Sequence, residues 1–246
     1  MIVFLKHIPI EGPGTIGLFF EKTPYKIKIF ELDQGDPLPE TLEGIEAVVV
    51  LGGPMNVYEE EKYPFLKEED EFLKRALRQS IPLLGICLGS QMLAKVNGAR
   101  VEKARQEEIG WSEIHLTRDG RCDPLFEGLD EKLAVFQWHE DTFSVPVGGQ
   151  LLATSEVCHN QAIKVGENAY GLQFHVEVTQ DIIESWIKQY FNVSDARKSD
   201  KGKAILDQYE RVKVSFEQQA ERLYKNFLEI IERSKATRNV KPACQI

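Results

Sequence analysis

Leu83-Leu84-Gly85-Ile86-Cys87-Leu88-Gly89-Ser90-Gln91 runs from an apolar, strand-like segment through G-x-C-x-G into a helical pattern that continues to Val96. This is the sulfur counterpart of the G-x-S-x-G turn, in which a nucleophile sits on a sharp strand-to-helix bend. Glycine two positions before and two after the cysteine removes side chains that would collide as strand and helix close on each other. The first turn of the helix brings its partial positive end to Cys87 and favours the thiolate over a thiol that ordinarily titrates near 8.5.

Upstream, apolar strand-sized runs at Ile2–Leu5, Lys26–Glu31, Ala47–Leu51 and Pro82–Ile86 alternate with a helical stretch at Tyr63–Gln79. Such alternation predicts an α/β domain with a mostly parallel sheet flanked by helices. In these sheets ligands gather beyond the carboxyl ends of the strands. The strand ends at Leu51, Ile86 and His175 are therefore where chemistry is expected. Downstream, four further strands are predicted at Leu133–Gln137, Gln150–Thr154, Gln161–Val165 and Ala169–Phe174, separated by Gly, Asn and Pro. The domain is bounded at residues 1–191. Residues 192–246 form a polar linker and a C-terminal helical extension, in which Ile205, Tyr209, Val212, Phe216, Ala220, Leu223, Phe227 and Ile230 draw one apolar stripe. The stripe suits either the domain's own surface or a dimer or partner face.

His175 and Glu177 close the segment Tyr170-Gly171-Leu172-Gln173-Phe174-His175-Val176-Glu177. Residues two apart share a face if the strand continues, so His175 can take the thiol proton while Glu177 holds its other ring nitrogen. Leu51-Gly52-Gly53-Pro54 follows an apolar strand. Pro54 has no N–H, which leaves the amides of Gly53 and Leu88 as expected oxyanion donors. Gly12-Pro13-Gly14-Thr15-Ile16-Gly17 also fits G-x-G-x-x-G, with Glu31 or Asp33 as a ribose-binding acid. Pro13 and Pro24 leave little room for the helix a dinucleotide site needs, and the loop reads instead as a border of the active-site mouth.

Together these residues resemble the class I, triad-type glutamine amidotransferases. The resemblance rests on Gly52-Gly53-Pro54, on Gly85 to Gln91, and on Gly171-Leu172-Gln173-Phe174-His175 with Glu177, in the family's order across about residues 1–190. It implies a flavodoxin-like glutaminase domain in which Cys87 attacks the side-chain amide of glutamine, or of another γ-glutamyl compound, and no cofactor is used. It also implies that Gln91 contacts the substrate and that His139, in Gln137-Trp138-His139-Glu140-Asp141, helps bind it. Two positions depart from the family: Val176 stands where proline is usual, and no glycine follows His139.

The chain has 246 residues, 42% of them hydrophobic, and a net charge of −9 from 30 basic and 39 acidic side chains. This composition excludes a disordered or disulfide-stapled chain. No basic stripe suits nucleic acid, and no apolar run approaches the ~20 residues that span a bilayer. The N-terminus lacks the pattern of a signal peptide, so cytoplasmic residence is expected, and Asn192-Val193-Ser194 is read as a chance glycosylation match. Cysteines at 87, 122, 158 and 244 show no metal-binding spacing, and no metal site is expected. No G-x-x-x-x-G-K-[ST] loop is present, so an ATP-dependent step would fall to a separate synthetase subunit. Three readings stay open: a glutaminase supplying ammonia to an acceptor enzyme, a free-standing γ-glutamyl hydrolase or peptidase, and a non-catalytic binding protein on the same fold.

Overall fold

The computed structural model describes residues 1–240; Cys244 and the end of the C-terminal segment lie outside the described residues. The chain runs β1 (Ile2–Lys6), α1 (Gly14–Phe20), β2 (Ile27–Glu31), β3 (Ala47–Val50), α2 (Phe65–Arg78), β4 (Leu83–Ile86), α3 (Leu88–Val96) and β5 (Val101–Leu116). It continues through α4 (Arg118–Cys122), β6 (Lys132–Phe143), β7 (Gln150–Thr154), β8 (Ala162–Val165), β9 (Ala169–Leu172), α5 (Gln180–Tyr190) and α6 (Asp200–Val240).

A nine-stranded sheet orders these as β2-β1-β3-β4-β9-β8-β7-β5-β6. Its five strands from β2 to β9 are mutually parallel, and the pairings beyond β9 are antiparallel. Ile2–Leu5, Ala47–Val50 and Leu83–Ile86 are fully buried, as expected for strands covered by helices on both faces. One core layer joins the even-numbered β1 side chains Ile2 and Phe4 to Phe20 and Phe227; the other joins Val3 and Leu5 to Phe72, Leu73 and Met92.

Two sequence expectations change. The 16-residue β5 was not anticipated; its first half is largely solvent-facing and carries Lys103, Arg105 and Glu107, and its pairing with β6 shifts register between Lys103 and Glu108. Lacking an apolar alternation, such a strand is defined by its partner. Strand β9 also ends at Leu172, so His175 and Glu177 do not lie on a continuing strand. The chain bends there, and His175 makes a single antiparallel bridge to Phe136.

The apolar stripe of α6 is occupied by the domain itself. Ile205, Tyr209, Phe216, Ala220, Leu223, Phe227 and Ile230 are buried, and Val212 is half-buried. Phe227 meets Phe20 edge-on at 6.4 Å. Replacing this fully buried ring leaves a cavity. Phe227→Ala should lower stability by about 3–5 kcal/mol in urea unfolding; a loss well below 1 kcal/mol would mean that α6 is not part of the core.

Candidate active site

The bend at Cys87 is enforced by glycine. A Cβ on Gly85 would run into the Gly89 carbonyl, and one on Gly89 would run into the Val50 carbonyl of β3. With those contacts only glycine permits, α3 begins directly at the end of β4. Cys87 itself adopts φ 50°, ψ −104°, and is held by its N–H on the Leu172 carbonyl (2.7 Å) and by Ser90 Oγ donating to its carbonyl (2.6 Å). Its thiol is 6% exposed, faces the Trp138 carbonyl at 3.7 Å, and receives the Gln173 amide at 3.9 Å.

His175 projects to the same point. Its Nδ1 lies 2.7 Å from Glu177 Oε1, while Glu177 Oε2 accepts the Val176 N–H at 2.9 Å. The bend after β9 thus achieves what a continuing strand would have. Burial opposes a charged imidazole, but the Glu177 carboxylate and Cys87 beside it outweigh burial and hold the His175 pKa well above its usual value. The ring packs edge-on against Trp186 at 4.8 Å. Tyr224 of α6 donates to the Val176 carbonyl at 2.6 Å, and the Thr15 N–H donates to the Glu177 carbonyl at 2.9 Å. The segment carrying His175 and Glu177 is therefore clamped by α1 and α6.

A cavity of about 320 Å³ opens over Cys87 and is lined by His175, Gly53, Gln91, His139, Trp186 and Tyr190 among others. Of the sequence-predicted residues, Gly53, Cys87, Gln91, His139 and His175 line this cavity; Glu177 contacts His175, and Leu88 follows Cys87 at the start of α3. Gln91 and His139 are already engaged: the Gln91 amide donates to the Asp141 carbonyl at 3.2 Å, and His139 Nδ1 lies 3.0 Å from the same carbonyl. The Gly53 and Leu88 amides make no loop or cap hydrogen bond to another backbone group among the described residues.

Sequence reading missed several groups here. Glu11, from the loop after β1, lines the cavity and accepts the Tyr190 hydroxyl at 2.9 Å. Burial pushes its carboxyl up, although His175 and Tyr190 pull the other way. Glu11 lies one residue before the G-x-G-x-x-G stretch, and none of Gly12 to Gly17 themselves lines the cavity. A Cβ on Gly52 would lie 2.6 Å from Glu11 Oε2, 3.1 Å from His175 Cε1 and 3.8 Å from Cys87 Cβ, so all three groups converge over that glycine. Glu108, His139 and Cys158, distant in sequence, bring ligand-type atoms within 4.8 Å of one another. Glu108 already accepts the Gln161 amide at 2.9 Å, and Cys158 shares a hydrogen with Thr142 at 3.1 Å, which makes this a hydrogen-bonded core cluster.

A thiol, an imidazole paired with a carboxylate, and backbone amides without a backbone partner are groups that together can carry out acyl transfer. The glutamine amidotransferase class-I family model matches residues 19–191. The chain belongs to that family. A glutamine amidotransferase-like protein of Salmonella typhimurium, YfeJ, is 31% identical over 188 residues, covering 75% of this chain and 79% of the relative. The crystal structure of a glutamine amidotransferase from Thermotoga maritima shares 38% identity and superposes with a TM-score of 0.84 over 93% of this chain and 97% of that one. The GMP synthase of Thermosipho melanesiensis is 35% identical over 193 residues, 78% of this chain but 34% of its own length. The chain thus spans about a third of the length of that synthase. No helix among the described residues is long and apolar enough to cross a membrane.

The buried His175–Glu177 pair has a consequence for stability. Because the folded-state pKa of His175 is raised, its contribution is complete below the unfolded value, about 6.5, and is lost as pH rises through the folded value. Glu177→Gln should therefore lower stability more at pH 6 than at alkaline pH, measured by urea unfolding. An equal loss at both would show that the carboxylate does not hold the imidazolium.

Proposed function

We propose that this class I glutamine amidotransferase domain hydrolyses the side-chain amide of glutamine through a cysteinyl γ-glutamyl thioester and supplies the ammonia to an acceptor enzyme. The observation that carries the reading is that Cys87 and His175 line one cavity while Glu177 Oε1 lies 2.7 Å from His175 Nδ1.

The Cys87 thiolate attacks the amide carbon, and the carbonyl oxygen takes the negative charge. The Gly53 and Leu88 N–H groups are the donors this reading assigns to hold it. His175, carrying the proton taken from the thiol, gives it to the departing nitrogen; the C–N bond breaks and ammonia leaves. Water then attacks the thioester with His175 as base, the C–S bond breaks, and glutamate and the thiol are restored. Glu177 keeps the imidazole in one tautomer and stabilises its charged form throughout. Gln91 and His139 line the wall where the amino-acid portion of the substrate would lie. Resemblance to the amidotransferase portion of GMP synthases supports an ammonia-accepting partner, a synthetase on another polypeptide.

The test is release of glutamate and ammonia from glutamine by the purified chain, beside a γ-glutamyl dipeptide. Cys87→Ala should abolish turnover with an unchanged melting profile, and Glu177→Gln should reduce the rate less than His175→Ala. Retained turnover in Cys87→Ala removes the thioester. Preference for the dipeptide over glutamine replaces the ammonia-supplying role with a free-standing hydrolase of γ-glutamyl compounds.

A further inference from the structure

The Gly52–Gly53 peptide carries one of the two oxyanion donors, and it joins two residues without side chains, the easiest kind of peptide unit to rotate. In a trans peptide the C=O and the N–H point in opposite directions, so whatever holds the Gly52 carbonyl also sets the direction of the Gly53 N–H. In this protein His7 holds it. His7, just beyond β1, is 1% exposed, and its Nδ1 lies 2.9 Å from the Gly52 carbonyl oxygen. On the other side of the ring, Nε2 lies 3.1 Å from both carboxylate oxygens of Glu69, a fully buried residue of α2. Phe65 packs over the ring at 6.1 Å.

Both ring nitrogens face oxygen acceptors. Satisfying both requires a proton on each, which is the imidazolium form. Burial opposes that charge, but Glu69, the Gly52 carbonyl and the more distant Glu11 outweigh it, and the His7 pKa is raised.

We propose that His7 is a positioning residue for the Cys87 chemistry: donating from Nδ1 to the Gly52 carbonyl, it keeps the Gly53 N–H turned toward the oxygen of the tetrahedral intermediate. The role rests on the reaction assigned above. Glu69 acts through His7, holding its second proton and its ring plane. When the ring loses one proton, the carboxylate retains the hydrogen on Nε2, the stronger of the two bonds. Nδ1 then presents a lone pair to the Gly52 carbonyl. That repulsion favours the flipped peptide, with its N–H toward His7 and its carbonyl in the oxyanion position. The donor is therefore in place below the folded-state pKa of His7 and is lost as pH rises through it.

Asparagine and glutamine separate the two ring nitrogens. His7→Asn places an amide donor near the Nδ1 position, whereas His7→Gln places one near Nε2 and leaves the Gly52 carbonyl unbonded. For glutamate release from glutamine, His7→Gln should lower kcat about 10²-fold, the usual cost of one oxyanion donor, with little change in KM. His7→Asn should retain most of kcat. Glu69→Gln should move the alkaline limb of the kcat profile to lower pH. Equal losses in the two His7 variants, with both folded by thermal melting, overturn the proposal. A second measurement does not require turnover. In 15N-labelled protein the Gly53 amide resonance should move across the pH range in which His7 loses its proton, and should be insensitive to that range in His7→Asn. A Gly53 amide that does not follow His7 overturns the proposal even in an active enzyme. A parent chain without Cys87-dependent turnover instead removes the reaction on which the role rests, and the Gly53 resonance then reports only whether His7 orients the Gly52–Gly53 peptide.

Discussion

The rest of the molecule depends on the contact between the end of β4 and the start of α3. Gly85 and Gly89 touch backbone where a methyl group would have to be, and Gly171 of β9 lies against Ser90 in the same crowded place. That closeness forces Cys87 into a positive-φ conformation, a strain of about 1–3 kcal/mol for a residue with a side chain. The strain persists because β4 lies between β3 and β9 at the sheet's centre and because both backbone groups of Cys87 are hydrogen-bonded. What the sheet obtains in return is a sulfur projecting from its edge, at a point where the loops after β3 and β9 also end.

The C-terminal helix is part of this arrangement rather than an appendage to it. Tyr224 reaches Thr15 of α1 at 2.8 Å as well as the Val176 carbonyl, so one hydroxyl ties α6, α1 and the His175–Glu177 bend together. A proline at position 176 would stiffen that bend covalently. Here, where Val176 takes its place, the stiffness comes from tertiary bonds. The apolar stripe that could have served a partner is consumed in packing α6 against the domain, where it holds the segment that carries His175 and Glu177.

What was legible in the sequence was what is local. The glycine spacing around Cys87, the His175-x-Glu177 pair and the Gly52-Gly53 turn each lie within a few residues, and steric or hydrogen-bonding rules act at that range. Strands β1, β3 and β4 were legible because burial on both faces makes them almost continuously apolar. Strand β5 was not, since its first half is exposed and its register is set only by β6. Glu11, Tyr190, His7 and Glu69 were illegible for a different reason. Each is an ordinary polar residue on its own element, and Tyr190 lies 179 positions from the carboxylate it contacts. The meaning of such residues exists only after the sheet has brought the strand ends together.

Charge explains why these distant residues belong to one design. Three buried carboxylates, on Glu11, Glu69 and Glu177, surround two buried histidines, His7 and His175. Glu69 faces His7 and Glu177 faces His175, and in each pair the carboxylate supports the imidazolium against burial. Glu11 has no histidine of its own. Burial pushes its carboxyl up and outweighs the Tyr190 hydroxyl on one oxygen, so it adds less negative charge beside Cys87 than a free glutamate would. Both rings are thus favoured in their charged form, His175 in the cavity wall beside Cys87 and His7 behind it on the Gly52 carbonyl.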